Sequence, residues 1–272
     1  MKCLIKITTI FLGIVILVIN PLKATDPKLA LEIRTSKEVF LRSEPIWIDA
    51  ILSNISQDTV RVYGLCLPCQ SIFRVEVIDE QGNALKYTGS VYDMIPGSGW
   101  IMHPGDRYFK CLNLLNHFYQ YKNLVELVFL KSLQPGRYTV KARYETANSN
   151  ELEFEVKEPE QLEKEAYQLV KDAYYSQTKK PDSTSAYFKQ LVNSFPKSAY
   201  AEIGYKELYY DKELLENFPN SGYTENALVR LTDTLSLEQK HKSLHEVINK
   251  HPSTRSAKFA EKMLKKIEDQ KQ

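Results

Sequence analysis

Glycine is scarce in this 272-residue chain. Ten occur, most of them at turns, so no glycine-rich loop is available to cradle a phosphate. Charge of one sign is scarce too. Lys and Arg number 36 against 34 Asp and Glu, a formal net charge of +2, which supplies no field for steering nucleic acid or an anionic surface. The four cysteines include Cys3 near the N-terminus, leaving Cys66, Cys69 and Cys111. With His103 and His117 scattered, a four-ligand zinc site is not expected. Neither a serine nucleophile elbow nor a pair of acids in a recognisable frame occurs. No catalytic residue, cofactor, metal or nucleic acid is therefore expected.

What is present begins with an export pattern. "MKCLIK" carries two lysines, "ITTIFLGIVILVI" is a continuous apolar run, and "NPLKA" ends on a small residue. This is the layout of a secretory signal peptide over residues 1–24, cleaved after Ala24. The competing reading is an uncleaved anchor. Cys3 lies ahead of the apolar run, so lipidation is not expected. No later run is long and apolar enough to span a bilayer. The mature chain is expected in the periplasm or associated with the envelope, or else secreted.

Residues 25–157 read as strands. "LALEIRT", "EPIWIDAILSN", "DTVRVYGL", "SIFRVEVID", "GDRYFKCLNL", "LVELVFL", "GRYTVKARYET" and "ELEFEVK" are short, rich in β-branched and aromatic residues, and mostly alternate. Gly82 and Asn83 suit a hairpin turn, where Asp79 and Glu80 are expected for turn geometry alone. The spacing predicts an all-β antiparallel sandwich.

Residues 158–272 change period. Apolar residues recur every three or four positions from Leu162 through Ala166, Leu169, Val170, Ala173 and Tyr174. "LVNSFPKSAYAEIGYKEL" (Leu191 to Leu208) aligns without gaps onto "LLENFPNSGYTENALVRL" (Leu214 to Leu231). "VINKHPSTRSAKFAEKML" (Val247 to Leu264) is a weaker third copy. Pro196, Pro219 and Pro252 stop a helix, while Ser198, Ser221 and Thr254 offer hydroxyls to the next one. About six helices follow, at 160–177, 183–195, 198–216, 221–234, 237–250 and 253–269, stacked as an all-α solenoid.

The frame Phe195, Pro196, Ser198, Tyr200, Glu202, repeated as Phe218, Pro219, Ser221, Tyr223, Glu225, resembles tetratricopeptide-type repeats. It is closest to those of periplasmic outer-membrane assembly lipoproteins and Tol–Pal coordinators. The resemblance covers roughly residues 183–267 and implies a helical repeat that holds a protein partner. "EPIWIDAILSNIS", "VIDEQGNAL" and "MHPGD" resemble small Ig-like bacterial sandwiches, including the intracellular proteinase-inhibitor type.

Cys66 and Cys69 form a C-x-P-C stretch, but a strand follows it, and redox catalysis needs a helix N-terminus there. In an oxidising compartment the cysteines are disulfide candidates. Either Cys66 pairs with Cys69, the favoured reading, or one of the two reaches Cys111. His241 and His245 share a helix face without the motif glutamate of a metalloprotease. Tyr200 and Tyr223, at equivalent repeat positions, are expected in the core. Tyr205, Tyr209, Tyr210 and Trp100 are candidate partner-binding residues. The expected role is an exported, non-enzymatic adaptor that binds a protein through its helices. The alternative is a proteinase-inhibitor or ligand-binding sandwich acting through "SVYDMIPGSGWIMHPG" (Ser90 to Gly105), with Met94 and Trp100.

Overall fold

The computed structural model describes residues 28–67, 71–89, 91, 99–119, 131–179 and 181–269. The N-terminal stretch expected to be a signal peptide, Cys69, Met94 and most of the loop from Ser90 lie outside them. Among the described residues ten strands come first and seven helices follow. The strands are β1 (Leu29–Thr35), β2 (Val39–Leu41), β3 (Trp47–Asn54), β4 (Val60–Val62), β5 (Phe73–Asp79), β6 (Trp100–Met102), β7 (Arg107–Asn113), β8 (Gly136–Tyr144), β9 (Ala147–Asn148) and β10 (Leu152–Lys157). The helices are α1 (Gln161–Lys179), α2 (Pro181–Ser194), α3 (Ala201–Glu207), α4 (Asp211–Asn217), α5 (Thr224–Asp233), α6 (Leu237–Lys250) and α7 (Arg255–Asp269).

The strands build three sheets, where the sequence predicts an antiparallel two-sheet sandwich. One has the order β1-β3-β7 and another β2-β10-β8-β5 with β9 beside β8, while β4 and β6 pair separately. The pairing of β2 with β10 is parallel. That geometry requires a long crossover, and nearly the whole strand half lies between the two in sequence. A single cluster of buried side chains, including Ile33, Ile48, Leu52, Val77, Leu112, Val140 and Phe154, joins the sheets.

Strand β5 buries Phe73, Val75 and Val77 and exposes Arg74 and Glu76 between them. Such alternation marks a sheet with one wet face. Strand β3 departs from it. Seven of its eight residues are buried, because Ile48, Ala50 and Leu52 point into the strand core while the opposite face meets helices. Phe109 and Cys111 of β7 likewise pack against the helical core, and the rings of Phe109 and Phe259 lie 5.6 Å apart.

The helices do not form the expected six-helix solenoid. The predicted helix 198–216 is two helices, α3 and α4, broken at Tyr209, whose φ is 57°. Tyr210 N–H donates to the Tyr205 carbonyl at 2.9 Å and Tyr209 N–H to Lys206 at 3.3 Å. This is the pattern that ends a helix on a left-handed residue. Glycine is the usual residue there, so a tyrosine carries no stop signal in the sequence. Helix α6 does start on a legible signal, a reciprocal cap between Ser236 and Gln239.

Candidate functional site at the seam between strands and helices

The three repeat turns converge on one surface of the strand half. At the first, the buried Tyr200 hydroxyl donates to the Arg42 carbonyl at 2.7 Å. At the second, Tyr223 meets Trp47 edge to face, with ring centroids 4.8 Å apart. A Cβ on Gly222 would come within 2.2 Å of the same indole. At the third, Arg255 donates to Asp49 at 2.6 Å and to the Trp47 carbonyl at 3.0 Å, and it also bonds the Asn220 carbonyl. In the repeat alignment Ala199, Gly222 and Arg255 occupy one position, and Tyr200, Tyr223 and Ser256 the next. The repeat frame thus varies where each turn touches a different part of the strands.

The hydroxyls at these turns bond two or three residues onward. Ser198 and Ser221 accept from Tyr200 and Tyr223 N–H at 3.1 Å each. Thr254 accepts from Ala257 N–H at 3.4 Å. Ser198 also donates to Glu163 of α1 at 2.7 Å. Each turn is therefore preset in the conformation that presents its next residues to the strands.

The two ends of the seam differ in charge. Asp49 and Arg255 form an ion pair with side chains 10% and 2% exposed, and Lys258 approaches Asp49 at 4.0 Å. At the other end a cleft of about 490 Å³ is lined by Lys37, Phe40, Glu44, Trp47, Glu163, Lys197, Glu202 and Ser221, among others. Glu202 accepts from the Trp47 indole N–H at 3.4 Å and from the Ser221 hydroxyl. Burial pushes its carboxyl up to about 7, and Glu44 across the cleft adds to the rise. Glu44 accepts from Leu41 N–H at 2.8 Å and pairs with Lys37. Burial raises its carboxyl as well.

Of the sequence-predicted residues, Tyr200 and Tyr205 are buried, while Phe195, Phe218 and Tyr223 are partly buried against the helical cores. Pro196 and Pro252 are exposed and Pro219 half-buried. Tyr205 therefore presents no binding surface. Tyr209 and Tyr210 are 70% and 37% exposed. Trp100 packs on the strand core beside Tyr108, 4.6 Å between centroids. His241 and His245 have ring centroids 6.2 Å apart. Among the described residues no group of three or more His, Cys, Asp or Glu is placed to hold a metal ion.

Cys66 and Cys111 stand as free thiols. Cys111 faces the helices, where burial pushes its thiol up to about 12. Cys66 lies by Tyr108, which packs toward the strand core on the other face of the sheet. The favoured partner, Cys69, is outside the described residues. The residues that sequence reasoning missed are Trp47, Asp49, Gly222 and Arg255. A charged Asp49 inside the apolar run "WIDAIL" was the available signal.

Neither a family model nor a curated protein matches the chain. Among solved structures it is similar to an alkylpurine DNA glycosylase of Pseudomonas fluorescens bound to DNA containing an abasic site analog, with 11% identity and TM-score 0.30, covering 48% of this chain and 30% of that one. A β-glucosidase of Listeria innocua in complex with isofagomine shows 14% identity and TM-score 0.30, covering 47% and 16%. The CARDB domain of a Pyrococcus furiosus protein in complex with di-metal ions shows 13% identity and TM-score 0.28, covering 49% and 96%. This chain thus spans less than a third of the glycosylase and of the glucosidase. Likeness at this level carries no argument about function. No helix among the described residues is long and apolar enough to cross a membrane.

Proposed function

We propose that this chain is an exported, non-enzymatic adaptor of the cell envelope that holds a protein partner on its helical half. Export is supported by the N-terminal charge and apolar pattern. The observation that carries the partner reading is Tyr209. A bulky residue in left-handed backbone costs about 1–3 kcal/mol, and such strain concentrates at binding sites. Glycine would relieve it, yet the chain keeps an aromatic ring there, 70% exposed. Arg230 lies over that ring at 5.1 Å and is anchored by Asp211 at 2.9 and 2.5 Å. Tyr210 and the 46%-exposed Val229 adjoin Tyr209 and Arg230 in sequence. Tyrosine and arginine are the residues that dominate interface energetics.

The test is affinity capture from envelope extract with the full mature chain and with Tyr209→Gly/Tyr210→Ala. The expected result is one partner recovered stoichiometrically by the first and lost by the second, with the variant at least as stable as the natural chain. Equal recovery by both, or no stoichiometric partner, would remove this reading.

A further inference from the structure

Partner binding at Tyr209 makes no use of the acidic end of the seam. Glu202 sits on α3, 5% exposed, and its hydrogen-bond partners are neutral: an indole N–H from β3 and a hydroxyl from the turn before α5. Neutral donors do not offset the desolvation of a carboxylate, so such a site favours the protonated acid. Glu44, also 5% exposed, belongs to the strand half and faces the same cleft. We propose that this end of the seam is a proton-operated latch: neutral Glu202 holds the helices on the strands, and its ionisation opposite Glu44 loosens them.

The charged surroundings favour that direction. Lys37, from the turn after β1, opposes it by lowering the Glu202 carboxyl through space, but its own ion pair is with Glu44. From α1, Glu163 is held by Ser198 and by the Ala199 N–H, and it raises the Glu44 carboxyl further. Lys197, from the turn before α3, lines the cleft. Tyr223 packs beside Trp47 and feels the Glu202 charge as a further disfavouring of its own ionisation. Behind Trp47, Asp49 is matched by Arg255. Among the described residues no cation forms an ion pair with Glu202 itself. Two buried carboxylates on opposite halves therefore share one nearby committed lysine, and charging both sets like charges across the joint.

Trp47 makes the latch readable. The chain has two tryptophans, so in a Trp100→Phe background emission comes from the indole bonded to Glu202. Across roughly pH 5 to 9 that emission should titrate in one transition. Glu202→Gln, a neutral isostere that preserves the fold, should abolish it. Glu44→Gln should move its midpoint to lower pH. Cleavage of the connector at residues 158–160 by an added protease should be several-fold faster at the alkaline end, relative to Glu202→Gln under the same conditions. Flat emission, a transition that survives Glu202→Gln, an unmoved midpoint in Glu44→Gln, or equal cleavage of both proteins would each overturn the proposal.

Discussion

At one end of the seam a buried arginine meets a buried aspartate. At the other, a buried glutamate meets an indole and a hydroxyl. Both ends join the same strand to the same set of repeat turns, and both hide charge-bearing groups from water. They differ in what happens when one partner changes. The Asp49–Arg255 pair has its charges matched, and the arginine is bonded to two carbonyls besides, so it is intolerant of losing either member. Glu202 tolerates its neutral form and is sensitive to pH. One end therefore fixes the position of the helices, and the other makes their grip conditional.

The largest effect that tests this contrast is removal of Arg255. Arg255→Met leaves buried Asp49 without its hydrogen-bonded partner and with only the half-exposed Lys258 at 4.0 Å, and breaking one side of a buried pair costs about 3–5 kcal/mol. Urea unfolding should show a lower midpoint with an unchanged slope. Asp49→Leu in the same chain should recover part of the loss, since removing both charges avoids the unpaired one. A double variant no better than the single would mean that Arg255 acts by packing rather than charge.

The second effect belongs to the other end. The folded-state carboxyl of Glu202 lies at about 7, above its value in the unfolded chain, so the unfolded chain gives up this proton first. Its contribution is full below about pH 4.5 and is lost as pH rises through 7, on the order of 3 kcal/mol in total. Stability measured by urea against pH should decline over that window in the natural chain more steeply than in Glu202→Gln. Arg255→Met, though weaker throughout, should keep the decline. Parallel profiles for the natural chain and Glu202→Gln would contradict the contrast.

Much of this seam was hidden in sequence for a physical reason. Alternation shows that a strand has a wet and a dry face, as Arg74 and Glu76 show for β5. It does not reveal that a second layer covers the outer face. The apolar residues of "WIDAIL" fit any strand, and Asp49 reads as an ordinary outward polar residue until Arg255 is seen against it. The repeat frame was legible because Pro196, Pro219 and Pro252 break helices by local chemistry. The break at Tyr209 was not, because its left-handed residue is a tyrosine held by Arg230 and by bonds back into α3. The frame also predicted that Tyr200 and Tyr223 matter structurally. It did not show that they fasten the helices to another layer, as their partners Arg42 and Trp47 lie more than 150 positions away.

Gly222 gives a smaller effect and separates the repeat's own needs from those of the seam. Its equivalent in the first copy is Ala199, so the turn itself accepts a methyl group. At Gly222 that methyl would meet the Trp47 ring at 2.2 Å, and overpacking of this kind costs about 1–3 kcal/mol. Gly222→Ala should therefore destabilise, and it should disturb Trp47 emission in the Trp100→Phe background. Gly222→Ala combined with Trp47→Phe should be less harmful than the sum of the two. Strict additivity would show that the glycine serves the turn's backbone rather than the indole.

The smallest effect comes from repeating the arginine deletion outside the seam. Arg230 and Asp211 also make a two-bonded pair, in which the aspartate is 9% exposed, much like Asp49, but the arginine side chain is 36% exposed against 2% for Arg255, so solvent on the arginine side screens part of the attraction. Arg230→Ala should cost about 1–2 kcal/mol, less than Arg255→Met, with part of that loss coming from the uncovered Tyr209 ring rather than from charge. High salt should erase the charge component here and leave the Arg255→Met deficit nearly intact, because screening acts on exposed charges far more than on buried ones. Equal salt sensitivity at the two arginines would mean that water reaches Asp49, and the matched end of the seam would then be no more permanent than the acidic end.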